Sequence, residues 1–353
     1  MRIPTESIGS IPRPEYLADA MREHGEGALS AAGLAEVQAR AVAETIAALE
    51  QTGSTVLTDG EQAKPSFATY PIAGIETLSP DGVVIPFADG HTRQLPSLTE
   101  GPFRYRTRAD EYLIAARKHT SRPIKQPTIA PSALSLLYPA DGIDGYSRDQ
   151  FLDDLVDEAA ADIRRCLDAG ADSVQLDFTE GRLSLKLDPS GDLLRSFVEL
   201  NNRVLDRFTP DEQQRIGVHT CPGGDQDSVH SLDVDYAGLL PLLFEMHAGR
   251  FYVQMASETE PERALSVIAD SLKPTQRVFV GVIDPIDPAV ETPELVRDRI
   301  LQAARILPVD RLGTCDDCGF APFADDTSTS RETAFAKIKA RVEGTRLAEA
   351  ELG

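Results

Sequence analysis

Two rhythms of apolar residues alternate along this chain. Short, dense runs of strand length give way to longer stretches in which Leu, Val, Ile and Ala return every third or fourth position, the period of a helix with one buried face. The stretch 31–51 shows the helical rhythm, with Leu34, Val37, Ala41, Ile46 and Leu49 on its apolar face. Before it, Ser7-Ile8-Gly9-Ser10-Ile11-Pro12-Arg13-Pro14 reads as a short strand entering a rigid turn; after it, the β-rich run 54–61 ends on Glu61. Between about 67 and 120 the rhythm breaks. Short β-like pieces such as 83–87 and turn signals at Pro80-Asp81-Gly82 and Asp89-Gly90 predict a hairpin-like excursion, followed by a helix at 109–118. Regular alternation then returns. Strands are expected at 123–130, 172–177, 214–221, 250–257, 276–284 and 311–318, and helices at 147–169, 193–208, 236–247, 260–272, 293–306 and 329–347.

Eight strand candidates, mostly alternating with helices, predict a parallel sheet. That number favours a closed (β/α)8 TIM barrel of the α/β class over an open doubly wound sheet. No glycine-rich nucleotide fingerprint follows a strand, and no repeat or low-complexity linker divides the chain. The expectation is one domain over 1–353, with 67–120 inserted between the second and third strands.

Polar residues stand where strands give way to loops: Ser10, Glu61, Asp177, His219, Cys221, Asp284 and Cys318. Barrel strands end at one common face, where active sites are assembled. Single carboxylates at such places also serve as helix N-caps. For Asp284, just before Pro285, capping and function stand level; Glu61 and Asp177 precede no convincing helix and point to function. His219 and Cys221, two apart, lie on the same side of a strand and can grip one ion. Zn²⁺ favours such an N/S pair, and three protein ligands leave a fourth position open. Cys318 supplies the third ligand if the two strand ends converge. Against this, H-x-C arises often by chance, and buried thiols commonly pack as small hydrophobes, the expectation for Cys166 and Cys315. His230 lies in a Gly- and Asp-rich loop after the metal strand, where contact with substrate and a turn role stand even, whereas Asp225 and Asp227 read as turn residues.

Composition narrows the function. A formal charge of −22 argues against nucleic-acid phosphates and anionic membrane surfaces as partners. No apolar run approaches the roughly 18 residues that span a bilayer, and the opening Met1-Arg2-Ile3-Pro4-Thr5 lacks the apolar core of a signal peptide. Four cysteines in 353 residues do not make a disulfide framework. A cytoplasmic protein is expected.

Taken together these residues resemble the zinc-bearing C-terminal half of cobalamin-independent methionine synthase and its smaller single-barrel relatives. Ile8-Gly9-Ser10 with Pro12 matches the family's opening motif, Gly60-Glu61 its H-G-E motif with Asp59 in place of histidine, and Gln175-Leu176-Asp177 with Glu180-Gly181 its Q-I-D-E-P…E-G block. His219-x-Cys221 and Asp317-Cys318-Gly319 match its metal motifs. The resemblance implies a zinc-dependent methyltransferase in which His219, Cys221 and Cys318 hold Zn²⁺. A thiol such as homocysteine, activated by the metal, is methylated by a folate, a corrinoid protein or a small methylated compound. It also implies that Ile8, Gly9 and Ser10 hold the substrate carboxylate and that Glu61 and Asp177 hold its amine.

Departures from the family pattern are equally specific. The strand expected to bring a glutamate ligand carries Gln254 and Met255, with Glu258 later, so the fourth ligand is left among Glu258, Gln254, Cys315 and the substrate itself. The segment 282–287 has no histidine to match the family's proton donor, and the chain has no Trp. A related reading is opening of an epoxide by a coenzyme M thiolate, for which Arg13, Arg104, Arg106 and Arg182 are candidate sulfonate partners. Two further readings are a metal-free carboxylate barrel similar to uroporphyrinogen decarboxylase and a binding protein with a structural zinc site.

Overall fold

A computed structural model describes residues 2–353. Six parallel strands form one sheet in chain order: β1 (Lys125–Ile129), β2 (Ser173–Asp177), β3 (Ile216–Thr220), β4 (Arg250–Val253), β5 (Arg277–Ile283) and β6 (Leu312–Asp316). Nearly every residue of these strands is buried, as expected for a parallel sheet covered by helices. Two shorter connections close the barrel. Thr5 bridges Thr314 beside β6, Leu57 bridges Ile124 beside β1, and the Ile11 N–H donates to the Gly60 carbonyl at 3.0 Å.

The first two strands expected from the sequence are thus single bridges, and the first lies at Thr5 rather than from Ser7 onward. Pro4 and Pro12 offer no ladder donor there. At the second, side chains turn the backbone away. Thr58 Oγ1 accepts the Gly60 N–H at 3.3 Å and Asp59 Oδ1 the Glu61 N–H at 3.2 Å.

The three longest helices, Ala31–Gln51, Arg148–Asp168 and Arg331–Leu352, fall where the apolar periodicity places them and start at serine caps. Ser147 and Gln150 form a capping box at the head of Arg148–Asp168, whose Phe151, Leu155, Val156 and Ile163 face the core. Each such side chain contributes about 1.5–3 kcal/mol on burial. Helices at Glu15–Gly25, Glu180–Leu187, Pro131–Leu134 and Pro210–Gln213 were not evident from periodicity. The second of these begins three residues after Asp177, contrary to the expectation that no helix follows that carboxylate closely.

The excursion is two nested antiparallel ladders, Leu78–Ser79 with Ser97–Leu98 and Val84–Pro86 with Thr92–Gln94, followed by the helix Ala109–Ala116. It is fastened over the C-terminal face of the barrel. The Ala88 N–H donates to Val229 O at 3.0 Å and the Asp89 N–H to Ser228 Oγ at 3.2 Å. Arg93 donates to Asp225 at 2.5 Å through Nε and to Asp325 at 2.9 Å through both terminal nitrogens. Among the described residues no helix is long and apolar enough to cross a membrane.

Candidate metal centre and active site

Two strand ends meet at the barrel mouth. His219 is next to last in β3, Cys221 lies one residue beyond it, and Cys318 lies two residues beyond β6. Although β4 and β5 separate these strands, the ligand atoms of the three side chains all lie within 4.8 Å of one another, with 2.9 Å between the two sulfurs. All three are buried, and neither ring nitrogen of His219 has a protein partner. An unpaired buried polar group costs about 1–3 kcal/mol. A cation between the imidazole and the two thiols removes that cost, so the donor set fits zinc. Of the two thiols, Cys318 is held well below its ordinary pKa by its hydrogen bond with Cys221 and by His219, while burial holds Cys221 well above.

Surrounding groups hold these side chains in place. The Gly223 N–H donates to Cys221 Sγ at 3.4 Å. The Asp317 carboxylate accepts the N–H groups of Met255, Ala256 and Ser257 at 2.8–2.9 Å and the Ser257 hydroxyl at 2.7 Å. It stitches the end of β4 to the loop that carries Cys318.

A cavity of about 480 Å³ opens beside the trio; Ile8, Ser10, Glu61, Asp177, Glu180, His219, His230 and Cys318 are among its lining residues. Gly9 lies behind this lining. A β-carbon there would sit 2.5 Å from Glu61 Oε1, so the glycine makes room for the carboxylate. Glu61 itself has φ +55°, in the left-handed region, and its Oε2 is buried without a partner. Burial pushes its carboxyl up to about 7, with Lys64 opposing and Asp177 adding to the rise. Lys64 is fully buried, donates to Pro127 O at 2.9 Å and lies 4.6 Å from the centre of the Tyr70 ring. Asp177 is likewise raised by burial, with His219 opposing, and accepts from Gln175 Nε2 at 2.7 Å. The His230 and Phe87 rings form a T-shaped pair with centroids 5.3 Å apart, and His230 Nδ1 is 2.6 Å from Ser231 Oγ. Burial brings His230 down to about 4, so the ring is neutral at pH 7. Gly223, at φ +72°, admits this ring; a β-carbon there would lie 1.7 Å from Nε2.

Several residues with a possible role at the site are elsewhere. Asp284 does not line the cavity, and it caps no helix, since the next one starts at Pro293 behind Thr292; its carboxylate accepts the Ile286 N–H at 3.0 Å within its own turn. Cys315 packs with Ile8, Tyr252 and Phe279 inside the barrel, and Cys166 is buried in the helix Arg148–Asp168. Gln254 Oε1 accepts from Arg182 at 3.0 Å, and Glu258 lies 3.6 Å from the same guanidinium. Asp225 is held by Arg93 and His91. None of Arg13, Arg104, Arg106 and Arg182 lines the cavity, because each is drawn off elsewhere or lies outside the wall. Arg13 and Arg182 bond to backbone carbonyls, and Arg104 pairs with Asp154 at 2.6 Å. The cavity's arginine is Arg93, which the motifs did not suggest; nor did they suggest Lys64 or the apolar walls at Phe67, Phe87 and Phe323.

The catalytic-domain model of the cobalamin-independent synthases matches residues 3–344. The methionine synthase of Sulfurisphaera tokodaii is 23% identical over 359 residues, covering 99% of this chain and 94% of its own. That of Saccharolobus solfataricus is 22% identical over 352 residues, covering 99% and 96%. Among solved structures, a B12-independent methionine synthase from Shewanella sp. W3-18-1, in complex with selenomethionine, superposes with a TM-score of 0.79 at 20% identity, over 100% of this chain and 99% of that one.

Proposed function

This chain belongs to the cobalamin-independent methionine synthase family, and from that premise we propose that it transfers a methyl group to the sulfur of homocysteine or a similar amino thiol, with zinc held by His219, Cys221 and Cys318. The observation that carries the reading is the convergence of one imidazole and two thiols, buried and with no protein partner on either ring nitrogen. Zinc at this position supplies a Lewis acid that favours the thiolate form of the acceptor at neutral pH.

The chain's own groups orient the acceptor. Glu61 and Asp177, both buried at the cavity wall, fit an ammonium group, and each loses its desolvation cost when it gains that partner. Ile8, Gly9 and Ser10 lie at the adjoining turn, where the acceptor's carboxylate would be held. His230 lies in the wall as a neutral ring. The engagement of Gln254 and Glu258 by Arg182 supports leaving the fourth metal position to the substrate. The selenomethionine complex of the Shewanella relative supports an amino-acid product of this size. The epoxide reading lacks support of this kind, since the four arginines it relies on do not reach the cavity.

Elemental analysis combined with X-ray absorption, before and after homocysteine, tests the assignment. One equivalent of zinc and one additional sulfur neighbour on adding the thiol are expected; a coordination shell that homocysteine leaves unchanged overturns it. Glu61→Gln should weaken homocysteine binding at least about tenfold, the loss of one charged hydrogen bond, while zinc content is retained.

A further inference from the structure

We propose that Glu180 is the acid that protonates the leaving group when the methyl group departs from nitrogen. The inference rests on the methyl-transfer reading above and adds a catalytic residue to it. Glu180 opens the helix Glu180–Leu187, is 5% exposed, and lines the same cavity as His219 and Cys318. Its two oxygens are in different situations. Oε1 accepts the hydroxyl hydrogen of Ser132, on the helix Pro131–Leu134 that follows β1, whereas Oε2 is buried without a partner. Ser132 therefore fixes the carboxyl by one oxygen and leaves Oε2 as the oxygen that carries a proton.

The other groups around the cavity are committed. Glu61 and Asp177 serve the ammonium, and His219 serves the metal. Arg93 is spread over Asp225 and Asp325. His230, neutral at pH 7, is not an acid there. Glu180 is: burial, with Asp177 adding to it, raises its carboxyl to about 8, so the neutral form predominates at pH 7.

The step balances as follows. The acceptor thiol first gives its proton to solvent. Its sulfur then forms the new S–C bond while the methyl–nitrogen bond breaks, its electron pair passing to nitrogen. That nitrogen takes the proton from Glu180 Oε2 and departs as a secondary amine, and the carboxylate recovers a proton from water. A sulfonium donor needs no such help, because its leaving group is already a neutral thioether.

The test uses the zinc-loaded full chain and E180Q, which keeps an oxygen for the Ser132 hydroxyl. Homocysteine methylation is followed with 5-methyltetrahydrofolate, an N-methyl donor, and with S-methylmethionine, a sulfonium. E180Q is expected to lose about 100-fold or more with the N-methyl donor, the usual worth of a positioned acid, and to change little with the sulfonium. In the wild type, kcat/KM for the N-methyl donor should fall as pH rises through about 8, a limb absent from E180Q. Infrared spectra at pH 7 should show the carbonyl band of a protonated carboxyl that E180Q lacks. Equal losses with both donors, a descending limb that survives in E180Q, or no difference in the carboxyl band overturns the assignment. Wild-type transfer from the sulfonium alone also overturns it while leaving methyl transfer standing; transfer from neither donor overturns the underlying reading.

Discussion

Arg13 donates from Nη2 to the backbone carbonyl of Glu61 at 2.9 Å. The same guanidinium reaches Lys64 O at 3.0 Å, Ala321 O at 2.7 Å and Phe323 O at 3.0 Å, so one buried cation joins the turn bearing Glu61 to the loop after Cys318. Glu61 is held there in a left-handed backbone conformation that costs a non-glycine residue of order 1 kcal/mol. Arg13→Met leaves four carbonyls without this donor, and a loss of about 3–5 kcal/mol of unfolding free energy is expected. Denaturant titration measures it, and Arg13→Lys should recover part. A Met variant as stable as the parent would mean that water satisfies the carbonyls.

Removal of either thiol should remove the metal. Cys221→Ser and Cys318→Ser are each expected to lose stoichiometric zinc in elemental analysis while far-ultraviolet circular dichroism still reports a folded barrel. Full zinc content in either variant takes that residue out of the site. Chelation of the parent protein should lower its Tm, since a ligand bound only by the native state stabilises it.

Glu180 gives the stability a pH dependence of defined sign. Its folded pKa, about 8, lies above the ordinary carboxyl value of 4.5, so the native state binds the proton more tightly than the unfolded chain. Its contribution is greatest below about pH 4.5 and is lost as pH rises through about 8. Glu180→Gln abolishes that loss, so the variant should gain in Tm relative to the parent between pH 5 and pH 8. An identical pH dependence in the two proteins would show that the carboxyl is not protonated in the native state.

Arg93 is the clasp of the excursion. Its pairs with Asp225 and Asp325, and its position 4.1 Å from the centre of the Phe323 ring, fasten the inner ladder to two loops of the barrel. Arg93→Met should speed amide hydrogen exchange in residues 83–95 while leaving β1 to β6 protected. Unaltered exchange in that segment would assign the fastening to the Ala88 and Asp89 N–H bonds and the His91–Asp225 contact.

The sequence disclosed most where periodicity and chemistry coincide. The run ending in His219-x-Cys221 is both a buried strand and a candidate ligand pair, and Cys318 two residues past β6 meets it across the mouth. The long helices were legible because cap residues such as Ser147 precede an unbroken apolar face. Less was legible where one residue's fate depends on a distant partner. Local sequence leaves Asp284 level between capping and function, and only its partners show that it caps its own turn while Asp177 lines the cavity. Arg182 looks like a free cation until Gln254, Leu232 and Val234 are seen around it. The first two strands shrank to bridges because prolines and side-chain-to-backbone bonds compete with the ladder, effects that a hydrophobic pattern does not record.

The nested ladders between Leu78 and Leu98 contribute Ile85, Phe87 and Leu95 to the cavity, yet share no strand pairing with the barrel. Lengthening such an appendage costs little, because closure entropy grows only logarithmically with the number of residues. That side of the cavity can therefore be reshaped, by insertion or substitution, without moving the strand ends that carry His219, Cys221 and Cys318.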